Sequence, residues 1–103
     1  MSEYMVRYSA EALRSLGESF RWGAERWGES EGVRWFNEID AAILSRLSSM
    51  PFACPVAPES SAYNFEVRQL IFGRYRVLFR ITDTLVYVLD VMGPFHRYRE
   101  DVE

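Results

Sequence analysis

Residues 63–92, YNFEVRQLIFGRYRVLFRITDTLVYVLDVM, decide the fold, because apolar side chains recur there mainly at every second position. A period of two is typical of strands with one buried face. Gly73 and the pair Asp83-Thr84 each mark a short turn between apolar runs. The clearest alternation is that of Tyr75, Val77, Phe79 and Ile81. The stretch therefore predicts three antiparallel strands joined by tight turns, a β-meander.

The first half of the chain follows a helical period instead. Residues 4–8 form a short segment in which apolar and polar side chains partly alternate, which predicts one strand. Ser9 follows as a candidate N-cap of a helix. Two apolar stripes with spacings of three and four residues then predict two amphipathic helices. The first stripe comprises Leu13, Leu16, Phe20, Ala24 and Trp27, and the second comprises Val33, Phe36, Ile39, Ile43 and Leu47.

Glycine and proline mark the ends of these helices. Gly28 is suited to end the first helix, residues 28–32 form a connector, and Ser30 is a candidate N-cap for the second helix. Pro51 ends the second helix, because the residue before a proline avoids helical angles. The sequence therefore predicts an antiparallel helical hairpin over about residues 9–49.

These segments together predict one α+β domain over residues 1–103. Its order is β-α-α-β-β-β, with the helical hairpin packed on one face of an antiparallel sheet. A proline-rich loop at 50–62 separates the hairpin from the meander at 63–92, and a short tail follows at 93–103. The second face of the sheet is free to carry polar residues.

The bulk composition excludes several classes of protein. No apolar run approaches the length of about 20 residues that crosses a bilayer, and residues 1–4 show no secretory signal. Cys54 is the only cysteine, so the chain has no internal disulfide and no cysteine pattern for a metal. These features predict a cytoplasmic protein that uses no membrane, metal or cofactor.

Positive charge is concentrated in the last third of the chain. All twelve basic residues are arginine, and residues 68–99 carry a net charge of +4 although the whole chain carries −3. The arginines of this zone are Arg68, Arg74, Arg76, Arg80, Arg97 and Arg99. Such a zone attracts phosphates or an acidic partner segment, and an ordinary solvated sheet face is the alternative interpretation.

The predicted strand register brings part of this zone together. If Asp83-Thr84 is a two-residue turn, Thr82 pairs with Leu85 and Arg76 faces Val91. The tail then emerges beside Arg76, where His96 is a candidate acid or base and an arginine a candidate phosphate ligand. The candidate catalytic set is Arg76, His96 and Arg97. The candidate binding set is Arg68, Arg74, Arg80, Tyr98 and Arg99.

Two features leave alternatives open. Asp90 interrupts an apolar strand, and either it pairs with an arginine across the sheet or it lies near the exposed end of the strand. The register places it opposite Val77, which does not assure an ion pair. The tryptophans on the helices, Trp22, Trp27 and Trp35, are either core and hairpin contacts or a binding surface.

The meander resembles the C-terminal half of the RelE/ParE-type toxins, which are also called plasmid stabilisation proteins. The resemblance rests on residues 65–73 (FEVRQLIFG), 75–81 (YRVLFRI) and 86–91 (VYVLDV). Residues 54–59 (CPVAPE) are similar to the preceding loop of a ParE-like subgroup. The resemblance to these toxins implies that the chain is a small bacterial toxin that a co-encoded antitoxin holds inactive.

The resemblance implies two alternative modes of action. RelE-like members cleave mRNA in the ribosome without a metal, whereas ParE-like members poison DNA gyrase. Arg76 matches the arginine with which the RelE-like nucleases hold phosphate. Glu66 and Arg68 stand where those nucleases have two lysines, and only His96 and Arg97 remain of a basic stretch after the last strand.

These departures favour a toxin that acts by binding its target, with DNA gyrase as the target that the resemblance implies. A metal-independent, ribosome-dependent mRNA endoribonuclease is the alternative enzyme. A non-toxic interaction module on the same fold is the third hypothesis, since a fold does not fix a function. A cognate antitoxin is the expected partner in all three, and a homodimer remains open.

Overall fold

The computed structural model describes residues 3–94 and confirms the predicted order of one strand, two helices and three strands. The elements are β1 (Met5–Tyr8), α1 (Ala10–Trp27), α2 (Glu29–Ser49), β2 (Arg68–Phe72), β3 (Tyr75–Thr82) and β4 (Leu85–Met92). Two short 3₁₀ turns, Pro51–Ala53 and Pro58–Ala62, lie in the loop between α2 and β2. No helix within residues 3–94 is long and apolar enough to cross a membrane.

The four strands form one sheet in the order β1-β4-β3-β2. The β2, β3 and β4 strands make the predicted antiparallel meander, but β1 runs parallel to β4, with Met5 opposite Leu85. The expectation of a purely antiparallel sheet is therefore wrong at this edge. The alternation of residues 4–8 identifies a strand, but it carries no information about the partner or direction of that strand.

The ends of the helices follow the local signals closely. The Ser9 hydroxyl accepts a hydrogen bond from the Ala12 N–H at 3.0 Å, as expected of an N-cap. Gly28, with φ of +100°, ends α1, and its N–H donates to the Ala24 carbonyl at 2.9 Å. The predicted connector 28–32 is wrong, because α2 begins at Glu29 and Ser30 lies inside its first turn. Gly28 alone joins the two helices.

A pair of glycine substitutions tests this one-residue joint. Gly28→Ala is expected to lower the free energy of unfolding by about 1–3 kcal/mol, because a side chain is strained at this backbone conformation. Gly17→Ala, inside α1, is expected to raise it by about 0.5–1 kcal/mol, because alanine is the better helix former. At Gly17 the nearest atom to an added Cβ is Arg21 Nη1 at 3.7 Å. Urea unfolding followed by circular dichroism measures both changes, and equal effects would contradict the strain.

The buried face of α1 differs from the predicted stripe. Leu13 and Trp27 are 55% and 62% exposed, so the stripe is wrong at these two positions. The buried residues of α1 are Ala12, Ser15, Leu16 and Ser19. Three of these four are small, so the pattern of large apolar residues does not mark this face. In α2, Ile39, Ile43 and Leu47 are fully buried as predicted, whereas Val33 is exposed.

The main core lies between the helical hairpin and one face of the sheet, called here the helix face. Its fully buried members include Phe79, Val77, Val86, Val88 and Val91 from the sheet, with Leu16, Ile39, Ile43 and Leu47 from the helices. Tyr8 adds a polar tie, since its hydroxyl donates to Asp40 Oδ1 at 2.7 Å. Burial, and then this carboxylate, raise the pKa of Tyr8.

The other face of the sheet, called here the outer face, is partly covered by the loop. β2 begins at Arg68, so the predicted start of the meander at residue 63 is wrong. Val67 instead holds the loop, because its N–H donates to Ser60 Oγ at 2.9 Å and its carbonyl accepts from the Ala57 N–H at 2.8 Å. A second, smaller core results, and it comprises Ala57, Val67 and Leu78 with Phe65, Leu89 and Met92 packed against them.

A β-bulge between β3 and β4 changes the predicted register. Thr82 faces Leu85 as expected, but the register shifts at Leu78 and Phe79. Arg76 consequently faces Met92 and not Val91, and Asp90 faces Leu78 and not Val77. The two-residue turn fixes the register only as far as the bulge, because the extra residue on β4 is invisible to a count from the turn.

Asp90 does not form the predicted ion pair with an arginine within residues 3–94. Its carboxylate accepts a hydrogen bond from the Ser15 hydroxyl of α1 at 2.7 Å and another from the Val91 N–H at 2.8 Å. It therefore ties α1 to the bulge in β4 without an arginine, two residues before β4 ends at Met92. Ser15 is buried, so this bond satisfies a hydroxyl that would otherwise lack a partner.

Candidate functional site

Arg76 lies on the outer face of β3, and its guanidinium forms an ion pair with a carboxylate. Its Nη1 and Nη2 donate to the two carboxylate oxygens of Glu59 at 2.7 and 2.6 Å. Its Nε and Nη2 also donate to Gln69 Oε1 at 2.9 and 2.7 Å. The hydrogen bonds from Arg76 hold the pKa of Glu59 below its usual value, and those to Glu59 raise the pKa of Arg76.

The loop and the sheet together position this cluster of Glu59, Gln69 and Arg76. Glu59 lies in the 3₁₀ turn that begins at Pro58, and the hydrogen bonds of Val67 hold that part of the loop over the outer face. Gln69 faces Leu78 on β3, so its side chain and that of Arg76 share the outer face. A bidentate carboxylate uses the same guanidinium fork that binds phosphate.

Two further arginines, with a tyrosine between them, lie across the middle of the outer face. Arg7, Tyr87 and Arg80 face one another along β1, β4 and β3, and we call them the Arg–Tyr–Arg row. The Arg80 guanidinium lies 3.9 Å from the centroid of the Phe65 ring, and Arg7 contacts the sulfur of Met5 at 3.3 and 3.4 Å. Neither arginine pairs with a carboxylate within residues 3–94. The row can bind an anionic group beside an aromatic ring.

Sequence reasoning included Arg80 among the binding residues but missed Arg7 and Tyr87. These two join Arg80 only because β1 runs parallel to β4. The alternation of residues 4–8 places Arg7 on a strand, but the neighbour of that strand is a tertiary property. The row could have been found only if the parallel pairing of β1 with β4 had been known.

Arg68 lies at the edge of the helix face and is engaged with the loop. Its guanidinium lies 5.2 Å from the centroid of the Phe52 ring and donates to the Cys54 carbonyl at 2.5 Å. An ion pair with Glu66 at 3.2 Å adds a third contact. Arg68 therefore fastens the loop to β2, in a position separate from the Arg76 cluster on the outer face.

The tip of the helical hairpin and the β2–β3 turn enclose a groove of about 480 Å³, called here the aromatic groove. Its rings come from Trp22, Trp27, Trp35, Phe72 and Tyr75, with Gly23 and Gly32 between them and Glu31, Arg74 and Pro94 among the other lining residues. Trp22 meets Trp27 edge-on at 5.3 Å between ring centroids, and Trp35 lies 5.1 Å from Tyr75. The three tryptophans thus contact neighbours in the hairpin and the sheet, and they also line an open surface.

The structure separates some of the predicted site residues. Arg74 lines the aromatic groove, whereas Arg76 is bound to Glu59 on the outer face. The remaining members of the candidate sets are His96, Arg97, Tyr98 and Arg99, which lie outside the described residues. No group of three acidic, histidine or cysteine side chains within residues 3–94 is placed to hold a metal ion.

A helical hairpin on a four-stranded sheet, with arginines on the open face, forms a small α+β domain of the architecture that the resemblance to the RelE/ParE-type toxins implies. The chain matches the family described as the ParE toxin of the type II toxin–antitoxin system, parDE, over residues 6–93. The chain therefore belongs to this toxin family, which confirms the resemblance of the meander.

Solved structures support the same fold. The chain is similar to a structure titled the chromosomal ParDE TA system from P. aeruginosa, with a TM-score of 0.71, 12% identity, and coverage of 87% of this chain and 95% of that chain. It is also similar to the toxin–antitoxin complex RelBE2 from Mycobacterium tuberculosis, with a TM-score of 0.64, 23% identity, and coverage of 90% and 93%. No curated protein sequence matches the chain significantly.

Proposed function

We propose that this chain is a bacterial toxin that acts in the cytoplasm by binding its target, DNA gyrase, without cutting a nucleic acid. Membership of the ParE toxin family supports the toxin class. The observation that carries the mode of action is the bidentate pair between Arg76 and Glu59. The arginine that best matches a phosphate ligand of the nucleases is already occupied by a carboxylate.

The charges around Arg76 favour binding over cleavage. A nuclease needs a cation that is free to stabilise the negative charge that develops on the phosphate. Here Glu59 supplies a negative charge at that position, and Glu66 adds a second, exposed carboxylate beside Arg68. A phosphate that approached Arg76 would have to displace one carboxylate and would be repelled by it until then.

The proposed regulator is a cognate antitoxin with an acidic segment. The two solved structures named above are toxin–antitoxin systems. β1 is an edge strand that pairs with β4 on one side and with no strand within residues 3–94 on the other. An added strand would satisfy this edge, and its acidic side chains would meet Arg7, the member of the Arg–Tyr–Arg row that lies on β1.

One pair of assays tests the mode of action. The purified chain is expected to inhibit DNA supercoiling by gyrase and to leave ribosome-bound mRNA intact, because no step of the proposed action cuts RNA. The proposed cognate antitoxin, added first, is expected to restore supercoiling and serves as the control for specific inhibition.

Two other outcomes would assign the alternatives. Cleavage of mRNA only in the presence of ribosomes would contradict the proposal and assign the endoribonuclease. Full gyrase activity and intact mRNA, together with normal growth of bacteria that express the chain alone, would assign the non-toxic interaction module.

A further inference from the structure

The aromatic groove is an apolar surface without a cover within residues 3–94. All three tryptophans of the chain line it, together with Phe72 and Tyr75. Trp27 is 62% exposed, although burial of such a ring is strongly favourable. Contiguous exposed apolar surface of this kind usually marks a place where something docks.

The chain itself arrives at the mouth of this groove when it leaves β4. Gly93 lies against the ring of Tyr75 so closely that an added Cβ would come within 2.2 Å of the ring carbon Cε2. Pro94, the last residue that the structure describes, lines the groove. The residue that follows in sequence is Phe95, the first of the nine residues 95–103.

We propose that residues 95–103 are the occupant of the aromatic groove, with the rings of Phe95 and Tyr98 placed among the tryptophans. An extended chain advances about 3.3–3.6 Å per residue, so Phe95 reaches the groove from Pro94 without a linker. A tethered segment also binds at an effective concentration of about millimolar, so a weak contact suffices to fill the site.

The charges of the segment agree with this placement. Arg74 lines the groove and forms no ion pair within residues 3–94. The segment carries Glu100 and Asp101 a few residues beyond its aromatic side chains. A carboxylate from the segment would therefore find an unpaired guanidinium beside the groove. This inference goes beyond the toxin assignment and does not depend on it.

Tryptophan fluorescence reports on this groove alone, because the chain has three tryptophans and all of them line it. Two variants remove the proposed occupant, a chain that stops after Pro94 and the full-length Phe95→Ala chain. Both are expected to show emission shifted to longer wavelength and stronger quenching by acrylamide than the unaltered chain. The cause is that water and quencher then reach the indole rings.

Val102→Ala provides the matched control, since it changes the same segment without removing an aromatic ring. Far-UV circular dichroism confirms that each variant is folded, because every variant retains the helices and strands described within residues 3–94. Unchanged emission and quenching in the chain that stops after Pro94 would overturn the proposal. Emission that depends on protein concentration would also overturn it, because the occupant would then be a second copy of the chain.

Discussion

The Phe79→Ala variant is expected to lose about 3–5 kcal/mol of its free energy of unfolding, the largest change that a single core truncation brings to this fold. Phe79 is fully buried on the helix face of β3, an inner strand, where it packs within the main core between sheet and helices. Removal of the ring leaves a cavity that rigid strands on both sides cannot close. A domain of this size has about 5–15 kcal/mol in total, so the variant is close to unfolding. Urea unfolding at 25 °C measures the difference.

Ile71→Ala is the matched control for this prediction. Ile71 is another large apolar residue of the meander, but it lies on the outer face of β2 and is 55% exposed. Its truncation is expected to change the free energy of unfolding by less than about 0.5 kcal/mol. Comparable losses of the free energy of unfolding in the two variants would contradict the burial of Phe79 in the core and the exposure of Ile71 on the outer face.

The fold was predictable from sequence where a local interaction determines it. The hydroxyl of Ser9 caps the residues beside it, Gly28 supplies a positive φ at its own position, and Pro51 restricts the residue before it. The alternation on β3 likewise depends only on which side each residue faces. Each of these features involves neighbours in the chain, so a single sequence contains the information.

The helix faces were less predictable, because burial depends on how closely the elements approach. Ser15 and Ser19 are buried in α1, although their polar character predicts exposure. Burial of Ser15 is tolerated because its hydroxyl donates a hydrogen bond to Asp90, which is far away in sequence. Gly32 is buried in α2, where a Cβ would lie only 3.1 Å from the Phe20 ring and 3.2 Å from the Ala24 Cβ, and Val33 beside it is exposed.

The candidate site depended on still longer-range information. Arg76 was identified from its position in the meander, but its partner Glu59 belongs to the irregular loop, where no periodicity predicts a contact. The Arg–Tyr–Arg row required the parallel pairing of β1, and the register of Asp90 required the bulge. In each case a side chain was assigned correctly to a strand, and its partner was set by tertiary structure.

The Arg76→Ala variant is expected to unfold about 1–3 kcal/mol more easily, because Glu59 and Gln69 lose the donor that satisfies them. The loss lies toward the lower end of this range, since the Arg76 and Glu59 side chains remain 26% and 32% exposed. Bacteria that express the variant are nevertheless expected to stop growing as they do with the unaltered chain, because Arg76 in the proposed action holds the loop and touches no substrate. Growth after induction, with urea unfolding of the purified variant, measures both effects.

Glu59→Ala separates the structural role of the pair from a catalytic one. It breaks the same ion pair as Arg76→Ala, so the two variants are expected to lose similar stability and to arrest growth equally. A catalytic Arg76 predicts a different pattern, because loss of one such cation slows a reaction by about 10²–10³, whereas removal of Glu59 would free the guanidinium for phosphate. Growth arrest that survives Glu59→Ala but disappears with Arg76→Ala would therefore overturn the binding mode of action, since instability alone would affect both variants.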